Sequence, residues 1–168
     1  LHRLGAAALA NRQRRFGSEA TYVFNLQINP TNICGSGCTF CSYAASRHAP
    51  HAYVLEEAEI FDQVKRLNPT EAHIVGGLNQ IWSYQRNVEL VRSLRARFAD
   101  LHIKAFTAVE IDYFAKTTGL SESTVLDQLK AAGVDAMPGG GAEIFSDRLY
   151  RLHWKNKTSP EGWVRIHQ

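Results

Sequence analysis

Segments that favour a β-strand recur in this chain roughly every thirty residues, the length of one βα unit, with starts near 72, 102 and 134. A helical pattern follows each of them. Strands alternating with helices in this way specify an α/β fold with a parallel sheet and right-handed crossovers. A further strand is expected ahead of these, over 21–28. There Thr21, Tyr22, Val23 and Phe24 favour the pleat, and Leu26 and Ile28 alternate with Asn25 and Gln27. The other strands are expected at Glu71–Val75, Leu101–Phe106 and Val134–Met137. Helices are expected over 1–15, 56–67, 84–98, 110–117, 122–132 and from about 143 to 152. Ser121 is placed to cap the start of one and Gly133 to close it. Ser159-Pro160 opens another, with the proline at its first position.

The loop after the first strand holds every cysteine of the chain, as Cys34-Gly35-Ser36-Gly37-Cys38-Thr39-Phe40-Cys41. Three thiolates this close in sequence can wrap one inorganic centre. Gly35 and Gly37 free the backbone for the positive φ angles that a tight ligand loop often needs. A 4Fe–4S cluster takes Cys thiolates, usually four; three leave one iron open, and an open position marks catalytic metal sites. The alternatives are zinc with His48 or His51 as fourth ligand, or three structural thiols. A loop rich in Gly, Ser and Thr is a poor place to bury thiols, and an odd count argues against a disulfide framework.

Cys34, Cys38, Phe40 and Cys41 resemble the signature of the radical S-adenosylmethionine (SAM) superfamily. Four further blocks resemble a small group within it, the synthases of the futalosine route to menaquinone. They are Asn29–Cys34, His73-Ile74-Val75-Gly76-Gly77-Leu78, Lys104–Glu110 and Pro138–Ile144. The resemblance runs from about Thr21 to the end and implies a partial (β/α) barrel, the first four βα units of an expected six. It implies a 4Fe–4S cluster on Cys34, Cys38 and Cys41, whose open iron binds SAM. Gly76 and Gly77 are implied to approach the methionine end of SAM through their backbone, and Phe40 to lie near the adenine.

The activity implied is that of a transferase. The 5′-deoxyadenosyl radical adds to the enolpyruvyl double bond of 3-[(1-carboxyvinyl)oxy]benzoate, a small carboxylate substrate. An electron donor such as flavodoxin or ferredoxin is implied as partner. The alternatives are the futalosine-pathway cyclase, a deazaflavin-forming synthase, or, in another class, a non-catalytic zinc-binding module.

Other candidates are read from position. Lys104, Thr107 and Glu110 stand at and after the third strand, where they can face the barrel mouth and contact SAM or substrate. The plain alternative is a solvated lysine and a helix-capping Glu110. Gly139–Gly141, with Glu143 beside them, can cradle an anion at a helix start. His48, His51 and His73 can each carry a proton, and the sequence selects none of them as a catalytic acid or base. Asn32 reads as a turn former.

Composition bounds the rest. A net charge of +3, with both signs interspersed and no long basic run, is no nucleic-acid footprint. No apolar run reaches membrane-span length. Reactive thiols without a disulfide pattern point to the cytoplasm. Residues 1–20 read as a helical lead-in and 21–168 as the core domain. The only methionine is Met137, so both ends read as cut. The piece alone is then expected to be inactive and to be unstable or aggregate, because an open four-stranded sheet leaves an edge exposed.

Overall fold

The computed structural model describes residues 1–154 and 156–168. Three strands form a parallel sheet in the order β1-β2-β3: β1 is Asn25–Ile28, β2 is Glu71–Ile74 and β3 is His102–Ala105. The helices are α1 (His2–Phe16), α2 (Glu57–Leu67), α3 (Tyr84–Arg97), α4 (Ala108–Thr118), α5 (Glu122–Ala132), α6 (Asp147–His153) and α7 (Pro160–His167). One helix lies between β1 and β2 and another between β2 and β3, as expected for a parallel sheet.

The register sorts side chains onto two faces. Leu26, Ala72 and Ile103 are aligned, as are Ile28, Ile74 and Ala105. These rows face the helices, and all but the half-buried Leu26 are buried. Their partners are Ile60 and Val64 of α2, Val91 and Leu94 of α3, and Ile111 and Phe114 of α4. Each fully buried aliphatic side chain here is worth about 1.5–3 kcal/mol. Val125 and Leu129 place α5 in the same core. The alternate rows are polar: Asn25, Glu71 and His102, then Gln27, His73 and Lys104. A strand reverses its facing at every residue, so a single polar–apolar alternation builds both the core and the concave polar face.

Three boundaries differ from expectation. Pairing in β1 begins at Asn25, not Thr21, and Tyr22, Val23 and Phe24 are exposed. β2 opens just after Pro69 and Thr70, and proline has no N–H to continue the ladder. The fourth strand reduces to one parallel bridge, Lys104 to Ala136. Asp135 N–H still donates to Ile103 O at 2.9 Å and Ala105 N–H to Ala136 O at 2.9 Å. The stretch is pinned between the left-handed Gly133 (φ 117°) and Pro138, which leaves little extended chain to pair. The helix expected from 143 begins at Asp147, because Glu143 is itself left-handed (φ 57°) and Ser146 is the cap.

The expected caps are present elsewhere. The side chains of Ser83, Ser121 and Ser159 accept from the amide of the third residue of α3, α5 and α7, respectively. α1 buries none of its residues. Among the described residues no helix is long and apolar enough to cross a membrane.

Candidate active site

The polar concave face and the loops at the carboxyl ends of the strands enclose a cavity of about 440 Å³. Each strand feeds it from the same end: Asn29 after β1, Gly77 after β2, Thr107 after β3 and Pro138 after the Ala136 bridge. The carboxyl end of a β/α barrel is where such folds carry their chemistry. A larger hollow of about 570 Å³, between residues 79–85 and α4, is lined by no cysteine, histidine or carboxylate.

Cys34, Cys38 and Cys41 all line the cavity, and none is in a disulfide. Their loop is fixed at both ends. Ala45 N–H donates to Asn32 O at 2.8 Å, and Gly35 N–H donates to Leu78 O at 2.9 Å. Asn32 is buried and bonds to the 51–53 backbone through both side-chain atoms, the turn-forming role expected of it. The Cys34 sulfur accepts from Leu78 N–H at 3.3 Å and Ser36 N–H at 3.5 Å, and Ser36 Oγ lies 3.0 Å from Cys38 Sγ.

The glycines of the loop divide their work. Gly37 is left-handed (φ 67°) as expected, but Gly35 is not. At Gly35 a Cβ would fall 2.7 Å from the Gln80 side-chain amide, which would have to move aside. Gly77 meets both demands: φ is 62°, and a Cβ would sit 2.9 Å from Cys34 Sγ. The β2 turn therefore closes directly onto the first cysteine.

These observations fit an iron–sulfur cluster. The donors are all thiols, they share one cavity, and amides already point at the sulfur of Cys34. Among the described residues no three His, Cys, Asp or Glu side chains converge tightly enough for a single ion; a cube, being larger, does not need its ligands to meet at a point. His48 and His51 are exposed and do not line the cavity, so the zinc arrangement with either as fourth ligand is not formed.

The remaining expected site residues fall in different places. Phe40 lines the cavity, edge-on to Trp154 with ring centroids 5.5 Å apart. Thr107 lines it too. Glu110 does not: it is 1% exposed and lies behind the wall, accepting from Gly76 N–H at 2.7 Å and from Thr107 N–H and O–H at 2.8 Å each. Burial pushes its carboxyl up to about 7, against the pull of those hydrogen bonds. Lys104 is neither solvated nor in the cavity wall; its ammonium pairs with Glu71. Gly140 and Gly141 line the cavity but stand at no helix start, because α6 begins only at Asp147. His73 lines the cavity, and its buried Nε2 has no hydrogen-bond partner among the described residues. Burial first, and then the charge of Lys104, lower its pKa.

The sequence reading missed the cover of the cysteine loop. Thr39 N–H donates to His153 O at 3.0 Å, Thr39 Oγ1 meets His153 Nδ1 at 2.8 Å, and Asn156 donates to Ser36 O at 3.1 Å. Lys157 lines the cavity, pairs with Glu143 and places its ammonium 5.5 Å from the Phe40 ring centroid. Isolated His, Trp, Asn and Lys residues at and just after the end of α6 carry no periodic signal that could have marked them.

Comparison with known proteins agrees with this geometry. The chain is 40% identical over 165 residues to the aminodeoxyfutalosine synthase of Thermus thermophilus, covering 95% of this chain and 44% of that protein. It is 34% identical to the aminodeoxyfutalosine synthase of Streptomyces coelicolor, over 98% of this chain and 43% of the relative. It is 36% identical to the FO synthase of Mycobacterium tuberculosis, over 95% of this chain and 19% of the relative. The chain thus spans less than half the length of these curated relatives. The family model for the radical SAM superfamily matches residues 28–168, from the end of β1 through the cysteine loop to the last residue. The chain belongs to the radical SAM superfamily.

Proposed function

We propose that this chain is the cluster-bearing part of an adenosyl transferase of the aminodeoxyfutalosine synthase type. Its reaction joins the 5′-deoxyadenosyl group, through carbon, to the enolpyruvyl double bond of 3-[(1-carboxyvinyl)oxy]benzoate. The observation that carries this reading is the meeting of Cys34, Cys38, Cys41 and the Gly77 turn on one cavity. Similarity to two synthases of that name, over nearly the whole chain, supports this activity within the superfamily.

The chemistry that a bound cluster supplies here is one-electron reduction of SAM, which yields methionine and a 5′-deoxyadenosyl radical. The three cysteines would hold three irons and leave the fourth for SAM. Gly76 and Gly77 let the backbone come close where a side chain could not. Phe40, braced by Trp154, gives an apolar wall suited to a purine.

Lys157 brings positive charge to a cavity that must accept carboxylates, and Glu143 holds it in place until they arrive. His73, kept neutral by burial, offers a free ring nitrogen to substrate. Cys41 is exposed, so a small donor such as flavodoxin or ferredoxin can approach the cluster from that side.

The test uses the full-length protein, reconstituted anaerobically with iron and sulfide and supplied with SAM, reductant and the enolpyruvyl benzoate. The expected product is a covalent adenosyl adduct detected by mass. Release of free 5′-deoxyadenosine alone refutes the synthase assignment. Colourless protein with stoichiometric zinc refutes the cluster.

A further inference from the structure

Three carboxylates are buried in the described structure: Glu71, Glu110 and Asp112. Glu71 is paired with Lys104 and Asp112 with Lys116. Glu110 is the most buried of the three, and among the described residues no cation pairs with it. Every group that it touches within hydrogen-bond distance is a donor, which suits an ionised carboxylate. Burying an uncompensated charge is unfavourable, so the contacts it makes there require a reason.

Capping α4 is not reason enough. α3, α5 and α7 are each capped by one serine whose side chain accepts from an amide, without a capping box, and in the capping box of α2 the reciprocating Glu59 is exposed rather than buried. Thr107 already plays that part for α4. What only Glu110 does is reach from β3 to β2. Its Oε2 takes both Thr107 donors, and its Oε1 takes the Gly76 N–H at 2.7 Å. Two residues beyond Gly76, the Leu78 N–H donates to Cys34 Sγ at 3.3 Å, and the Leu78 carbonyl accepts from Gly35 N–H at 2.9 Å. The turn held at one end by Glu110 is gripped at the other by the cysteine loop.

We infer that Glu110 is a positioning residue for the cluster: it fixes the Gly76–Gly77 turn so that the Leu78 amide stays aimed at the Cys34 sulfur. Hydrogen bonds to cluster sulfurs help to set the reduction potential, favouring the reduced form. Glu110 thereby adjusts the potential without touching the cluster. This inference rests on the radical SAM reading of the cysteines.

The test is a potentiometric titration of the reconstituted full-length protein at pH 8, followed by electron paramagnetic resonance. In Glu110→Gln one carboxylate oxygen becomes an NH₂ that faces a donor, either Gly76 N–H or Thr107 N–H, so one grip is lost. The variant is expected to take up iron like the wild type while its potential moves negative. A tenfold fall in the ratio of reduced to oxidised cluster at fixed potential is expected, equivalent to 59 mV for one electron. Val125→Ala, in the core away from the cavity, controls for lost stability and is expected to lower the melting temperature without moving the potential. If Glu110→Gln does not fold, Glu110→Asp keeps the charge but cannot span both partners, and carries the same expectation.

An unchanged potential in the glutamate variant, or an equal shift in the valine variant, overturns the inference alone. Failure of the wild type to bind any cluster overturns the radical SAM reading with it.

Discussion

A methyl group at position 77 has no free space to occupy, and Gly77→Ala measures how much the site depends on that. Two costs can be separated. The residue is left-handed at φ 62°, where an L side chain costs about 1–2 kcal/mol. The new Cβ would also lie 2.9 Å from Cys34 Sγ, whereas comfortable non-bonded contacts begin at about 3.5 Å. In the metal-free protein Cys34 can rotate away, so the loss of stability is expected at about 1–3 kcal/mol. For a domain of this size that is about 2–4 °C of melting temperature per kcal/mol.

With a cluster bound, the sulfur is fixed and cannot yield, so the variant should lose more cluster affinity than folding stability. The assay pairs a thermal melt of metal-free protein with iron and sulfide per chain after anaerobic reconstitution. Gly139→Ala is the control, since nothing lies within 4 Å of its added Cβ; it is expected to stay within about 0.5 kcal/mol of wild type. A Gly77→Ala protein that melts like wild type and fills with iron refutes the close approach of the turn to Cys34.

Single replacements of Cys34, Cys38 or Cys41 by alanine should each abolish stable cluster binding, read as loss of iron and of visible absorbance, because two thiolates cannot retain a cube against exchange. Lys157→Met should raise KM for the carboxylate substrate about tenfold, the equivalent of 1.4 kcal/mol, while kcat changes less; equal KM values would remove Lys157 from substrate recognition. Glu71 supplies the pH dependence. Its hydrogen bond from Lys104, aided by Asn25 and nearby charges and opposed by burial, lowers its pKa below the ordinary 4.5. The sign follows: its stabilisation is present above pH 4.5 and is lost as pH falls through the folded-state value. Glu71→Gln should flatten that acid limb of a denaturation series, and an unchanged limb would show that the pair contributes nothing.

How far the sequence could be read depended on the range of the interactions concerned. Helix ends set by neighbouring residues were legible: Ser121 and Gly133 bracket α5, and Ser159-Pro160 starts α7, because caps act within a few positions. Strand ends were not, since β1 starts where its partner β2 can first pair, and Pro69 fixes that point from the other side of α2. The site shows the same division. Three cysteines within eight residues announce themselves. The cover supplied by His153, Asn156 and Lys157, more than a hundred residues on, does not.

Glu110 is the instructive case. Its place two positions inside α4 made helix capping and cavity contact equally readable, and capping is present. Its second oxygen, however, serves a residue 34 positions away. A buried carboxylate that caps the start of a helix thus links two strand ends, and only the fold reveals which of its two partners justifies burying the charge.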